Sequence, residues 1–401
     1  TQAARHQMKR LLTIFALCLT VVIRSLAQSD TTVYFANIYP GSDIYELEGH
    51  SAILVDIEGR GLAAYNFGVF DFDSPNFVYR FVKGETDYMA VAQPGDYFLE
   101  HYIRNGRRIV AHELNLDAAQ KKRLIDMLNE KIRPENRVYR YNYVKDNCAT
   151  RPLDAVEAAI GDSIALAPAP SEAQSAWPVT FRNIMRHYHR NYPWYQFGID
   201  LALGSGIDYP LARREMAFAP AELDAMLPNA SAGGKALVAN SIVINDKGPE
   251  AAVKEPTPWY LTPLFVCWLF FAITLALTIR DIRRRKVTRW FDSAFFGLLG
   301  LTGCLLTFLI FVSVHEATSP NWLYPWLNPL CLILTIFIWI KKARTFVMCY
   351  QMTNFVVLLA LCALWPFLPQ SANAAFLPLV GAELMRSFSY IYISKRTLCL
   401  N

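Results

Sequence analysis

Cysteine is nearly missing from the part of the chain that looks water-exposed. Of eight cysteines, Cys148 alone lies between residues 30 and 258. Cys18 falls in an N-terminal apolar run, and Cys267, Cys304, Cys331, Cys349, Cys362 and Cys399 lie in or beside later ones. One thiol cannot close an intramolecular disulfide, so a small stapled scaffold is excluded, and a lone cysteine in an exported domain invites a chemical explanation. Charge is also scarce, at 18% against 53% hydrophobic residues. The net charge of +5 is accounted for by basic clusters flanking apolar runs, so no nucleic-acid partner is implied. Metal-ligand spacing is limited to His187 and His189. That segment reads as helix and has no third ligand nearby, so neither metal nor cofactor is expected.

The apolar residues are unevenly placed. They crowd into the first 27 residues and into everything after about Trp259. Met8-Lys9-Arg10, the run Leu11 to Ile23 and Ser25-Leu26-Ala27 read as a secretory signal or an uncleaved N-terminal anchor, over residues 1–27. Residues 30–245 then form an exported domain and 246–258 a proline-bearing linker. A transmembrane domain follows over 259–396, with spans at about Trp259–Ile279, Phe291–Val314, Tyr324–Ile340, Phe346–Phe367 and Leu377–Ile393. Arg280 to Arg289, then Lys341, Lys342 and Arg344, then Lys395 and Arg396 all fall on one side, which is the cytoplasmic one. The exported domain lies on the other. Glu383 and Arg386 share a helix face, either paired inside the fifth span or at its interface.

Within the exported domain, Lys145 to Pro152 precedes an amphipathic helix that ends at Gly161. Asp146 or Asn147 is the expected N-cap, and Pro152 fits a first turn. Cys148 therefore stands at a helix N-terminus, where the dipole and free N–H groups favour a thiolate and lower its pKa. His50 opens the strand candidate Ala52–Ile57, and Glu58-Gly59-Arg60-Gly61 turns the chain back into Leu62–Phe67. Counting across that hairpin places Asn66 beside His50. An amide oxygen on one ring nitrogen fixes the imidazole tautomer, as a general base needs. Asp117 with Gln120 resembles a capping box for a helix over Leu124 to Ile132. Strands and helices in this order make the domain α+β.

Tyr45-x-x-x-Gly49-His50-Ser51-Ala52, Tyr65-Asn66-Phe67-Gly68-x-Phe70-Asp71-Phe72 and Asp146-Asn147-Cys148-Ala149-Thr150-Arg151 resemble the Lnb family of bacterial lipoprotein N-acyltransferases. So do Trp194-x-x-Phe197-Gly198-Ile199-Asp200 and the outer loop His315 to Asn321. The resemblance implies an α+β periplasmic domain similar to permuted NlpC-type, papain-like thiol hydrolases and to lecithin:retinol acyltransferase. An all-α transmembrane domain of about five spans would follow it, in the bacterial inner membrane. It implies Cys148 as nucleophile and His50 as base. Asn66 stands where lecithin:retinol acyltransferase has a second histidine. Asn147, Arg151, His315 and Asn321 are the candidate substrate contacts. The implied partners are a membrane phospholipid as acyl donor, a diacylated lipoprotein as acceptor, and the bilayer itself. The alternatives are a phospholipase A or NlpC-type thiol hydrolase, and a non-catalytic membrane-anchored sensor or scaffold.

Overall fold

A computed structural model describes residues 31–174 and 178–398. The signal or anchor expected over 1–27 lies outside the described residues. The N-terminal domain is organised on an antiparallel sheet. Its strands are β1 (Thr31–Ile38), β2 (His50–Ile57), β3 (Gly61–Val69), β4 (Asp87–Pro94), β5 (Ile109–Leu114) and β6 (Val138–Arg140). A minor sheet holds β7 (Ile164–Ala165), β8 (Ser231–Ala232) and β9 (Lys235–Ala236), and β10 (Val238–Asn245) returns to the main sheet, giving the order β10-β5-β1-β2-β3-β4-β6. Helix α1 (Phe77–Lys83) follows β3, α2 (Gly95–Arg104) follows β4, α3 (Ala118–Lys131) follows β5, and α4 (Thr150–Ile160) follows Cys148.

Both faces of the sheet are covered, which explains the unbroken apolar run in β2. Ile53 and Val55 point to one face and pack with Leu124 and Leu128 of α3 and Leu153 and Val156 of α4. Ala52 and Leu54 point to the other and pack with Phe98 and Leu99 of α2. A strand buried on both sides has no polar alternation to show. Asp117 caps α3 with the expected reciprocal pair, its carboxylate accepting from Gln120 N at 2.8 Å while its own N–H donates to Gln120 Oε1 at 2.9 Å.

Short helices fill the segment that follows: α5 (Pro170–Gln174), α6 (Phe181–Tyr188), α7 (Pro193–Ala202), α8 (Arg213–Met216) and α9 (Pro220–Met226). The C-terminal region is all helical: α10 (Pro263–Arg284), α11 (Arg289–Phe311), α12 (Cys331–Phe337), α13 (Arg344–Leu364) and α14 (Phe376–Leu398). Among the described residues, three segments, Pro263–Arg284, Arg289–Phe311 and Lys341–Phe367, are long and apolar enough to cross a membrane. The third expected span is not a continuous helix. Pro325 and Pro329 interrupt it, and only the seven residues of α12 are helical. Glu383 and Arg386 are both sealed inside the bundle but do not pair with each other. Arg386 instead donates to Asp292 at 2.5 Å, Asp281 at 2.9 Å and Thr278 at 3.1 Å, while Glu383 accepts from Asn354 at 2.8 Å.

The two domains meet along a polar seam. Val314 N donates to Lys83 O at 2.9 Å and Ser313 Oγ to Val82 O at 3.0 Å, seating α1 on the end of α11. Tyr79 packs on Phe308 there. Arg182 holds Asp200 and Asp208, and Asn373 donates to Asp200 at 2.9 Å from the loop before α14.

Candidate active site

The β2–β3 hairpin pairs Ala52 with Asn66. His50, two residues before Ala52, lies on the same face, and its Nε2 is 2.7 Å from Asn66 Oδ1. An amide oxygen only accepts, so Nε2 carries the hydrogen and Nδ1 keeps the lone pair. Gly49 precedes His50 at φ 94, where a Cβ would stand 2.5 Å from Ile38 O. Only glycine lets the chain enter the strand this closely.

Cys148 arrives from the opposite side, in the turn before α4. Asn147 builds that turn. Its side-chain oxygen accepts from Ala149 N at 2.9 Å and Thr150 N at 3.1 Å, and its amide nitrogen donates to the carbonyls of Tyr143 and Phe218, both at 2.8 Å. Gly68, at φ 84 in an irregular stretch of the β3–β4 pairing, makes room for the thiol. A Cβ there would lie 3.5 Å from Cys148 Cβ and 3.2 Å from the Tyr141 ring.

Cys148, His50 and Asn66 line one cavity of about 450 Å³. Its wall is mainly aromatic and includes Phe70, Phe72, Phe77 and Phe81 on the side of α1. Burial pushes the Cys148 thiol up to about 11, although the nearby backbone N–H groups of Ser51 and Cys148 and the Tyr141 hydroxyl pull the other way. The expectation of a lowered thiol pKa is thus corrected. The helix start does supply donors, but removal from water outweighs them. Burial also takes His50 down to about 4 against the opposing pull of Asn66. At neutral pH the resting pair is thiol and neutral imidazole.

The four expected substrate contacts have other work in this structure. The Asn147 side-chain oxygen serves the turn, and its amide nitrogen ties the turn to the Tyr143 and Phe218 carbonyls. Arg151 faces away from the cavity, donating to Asp146 at 2.7 Å with its guanidinium 3.5 Å over the Tyr139 ring. His315 Nε2 lies 2.8 Å from the Phe81 carbonyl and fastens α1. Asn321 donates to Leu201 O at 2.9 Å and accepts from Leu323 N at 3.0 Å. The thiol turn and the outer loop do touch, through Lys145 and Glu316 at 2.5 Å.

Other cavity residues carried no separate signal in the sequence. Arg107 lines the cavity beside Glu46. Tyr143 also lines it, near Glu48, which is 2.5 Å from His189 Nε2; the second ring nitrogen of His189 is 2.7 Å from Gln196 Oε1. The alternation of Tyr139, Tyr141 and Tyr143 was the one local hint that this stretch lies against the site.

Two family models match the chain, the Lnb N-terminal periplasmic domain over residues 21–187 and the Lnb transmembrane domain over residues 255–398. The chain belongs to the Lnb family. No curated protein and no solved structure matches it. The sheet domain that holds Cys148, His50 and Asn66 is therefore the Lnb periplasmic domain, and α10 to α14 form the Lnb transmembrane domain.

Proposed function

We propose that this Lnb protein is a thiol acyltransferase that moves a fatty acyl chain from a membrane phospholipid to the α-amine of the lipid-modified N-terminal cysteine of a lipoprotein. The observation that carries this reading is a Cys–His–Asn set in an apolar cavity whose aromatic wall, α1, rests on the outer end of a membrane helix. A water-soluble substrate has no use for that placement. Residues 30–245 act as the catalytic unit, 246–258 as a linker and 259–396 as the platform in the inner membrane. The basic clusters at the far end of the helices face the cytoplasm.

His50 Nδ1 takes the Cys148 proton as Sγ adds to an ester carbonyl of the phospholipid. Because both groups rest neutral, proton transfer accompanies attack instead of preceding it. The oxyanion receives hydrogen bonds from donors near the sulfur, the Tyr141 hydroxyl and the Ser51 and Cys148 N–H groups. Collapse breaks the ester C–O bond, and the His50 imidazolium protonates the departing lysophospholipid. The amine then adds to the thioester, passes its proton to His50, and collapse leaves an amide and the free thiol. The depth of Cys148, only 8% exposed, keeps water from the thioester and favours transfer over hydrolysis.

The test is N-acylation of a diacylated lipopeptide by purified protein in phospholipid. Acylation lost in Cys148→Ala supports the proposal, and full acylation by that variant overturns it. Lysolipid released at full rate without acceptor, by a thiol-dependent route, would assign a phospholipase instead.

A further inference from the structure

Arg107 sits between α2 and β5 and is 1% exposed. Its Nε donates to the Tyr39 carbonyl at 2.7 Å and its Nη1 to Glu46 Oε1 at 2.7 Å. Its guanidinium carbon lies 4.9 Å from the centre of the Tyr102 ring. Nη2 is buried and has no hydrogen-bond partner. A guanidinium carries two N–H bonds on that nitrogen, and burying them without an acceptor is unfavourable. Among the described residues lining the Cys148 cavity, Arg107 is the one lysine or arginine. Tyr102 joins the two ends of the site, since its ring centre is also 6.0 Å from that of His50. The cavity thus gathers an aromatic wall, the thiol and, beside Tyr102, a guanidinium with one buried nitrogen that has no partner.

We infer that Arg107 Nη2 receives the phosphodiester of the acyl-donor glycerolipid and so holds a donor ester against Cys148. This rests on the proposed function and names the part of the substrate that the cavity recognises. In a glycerophospholipid a few bonds separate an ester carbonyl from the phosphorus, so one molecule can reach both groups. Guanidinium forks suit phosphate oxygens. Glu46 neutralises the empty pair, which lets the arginine remain buried before a ligand arrives. Arg107 is a binding residue in this account and takes no part in proton transfer.

The experiment uses the full chain in detergent and compares two donors with the same acyl esters, a phosphatidylglycerol and the matching diacylglycerol, read as acyl-enzyme formation. Arg107→Gln is expected to reduce kcat/KM for the phospholipid about 10-fold more than for the diacylglycerol, mainly through KM, as expected for one lost charge-assisted contact. Arg107→Lys should recover part of that preference. An equal fall for both donors, or no fall for the phospholipid, overturns the inference. A second measurement needs no variant. Glycerophosphocholine should slow alkylation of Cys148 in the wild-type protein, while glycerol should not. Equal protection by inorganic phosphate would mark a site for free anions and reject the lipid assignment, and absence of protection by glycerophosphocholine would reject it as well. Alkylation requires no turnover. Failure of acyl-enzyme formation with both donors would count against the proposed function, whereas the protection result judges the phosphodiester site independently of turnover.

Discussion

Arg182, in the seam between the domains, and Arg107, in the Cys148 cavity, are equally sealed from solvent. Arg182 is fully used. Its Nε and Nη2 donate to Asp208 at 2.8 and 3.0 Å, its Nη1 to Asp200 at 2.9 Å, and its Nη2 also to the Leu203 and Gly204 carbonyls. Arg107 keeps one nitrogen without a partner. The same contrast runs through both regions. Asn321, Gln370 and Asn373 at the seam all bind backbone or carboxylate groups. In the cavity, His50 retains a lone pair at Nδ1. A buried polar group with every bond made holds a structure together. Arg107, beside the thiol, has capacity left for a ligand.

The comparison can be broken at either end. The largest expected effect is at Cys148. Cys148→Ser should lower acyl transfer by about 10⁴-fold or more, measured as product per enzyme in phospholipid, because the nucleophile has no substitute. Arg182→Gln comes next, and it should act on stability. It leaves Asp208 buried without a cation and Asp200 with Arg186 alone, and should cost about 3–5 kcal/mol in a thermal or denaturant melt. If it melts normally while transfer is lost, the seam is part of the site and the distinction fails. Asn66→Asp is a third probe. Wild-type kcat/KM should be flat near neutral pH and fall on the acid side around His50's pKa of about 4. A carboxylate at position 66 favours the imidazolium, so the acid limb should move to higher pH. Because the folded His50 pKa lies below its ordinary value of 6.5, its contribution to stability is complete above that value and is lost as pH falls through about 4. The smallest effect belongs to His315→Ala, which removes one hydrogen bond to Phe81 O and should change stability by only about 1 kcal/mol.

Much of the site could be read from residue order. The Gly-His pair, the hairpin that returns Asn66, and the turn before a proline-tolerant helix are local patterns, and their chemistry depends on neighbours a few residues away. The α+β character and the helical membrane region were legible for the same reason. Arg107 was not. Its partners, Tyr39, Glu46 and Tyr102, meet only when β5 pairs with β1, and neither α2 nor β5 has a strong local signature. Helix α1 has no apolar stripe to betray it, because Val78, Tyr79 and Phe81 leave it without a buried side; it is held by the end of α11 instead. The β10 segment carried no strand expectation, since an edge strand shows little alternation. For Asn147, Arg151, His315 and Asn321 the positions were near the site or the membrane loop, but nearness in sequence does not show whether a polar group is already engaged. The thiol pKa was misjudged because burial, unlike helix position, is a property of the whole fold.

The most direct test of the account is the intact mass of the purified protein after incubation with phospholipid and no acceptor. The account predicts a gain of one fatty acyl group that hydroxylamine removes and that Cys148→Ala never shows. An adduct that persists in Cys148→Ala, or N-acylated lipopeptide formed by a protein whose Cys148 is never acylated, would contradict it.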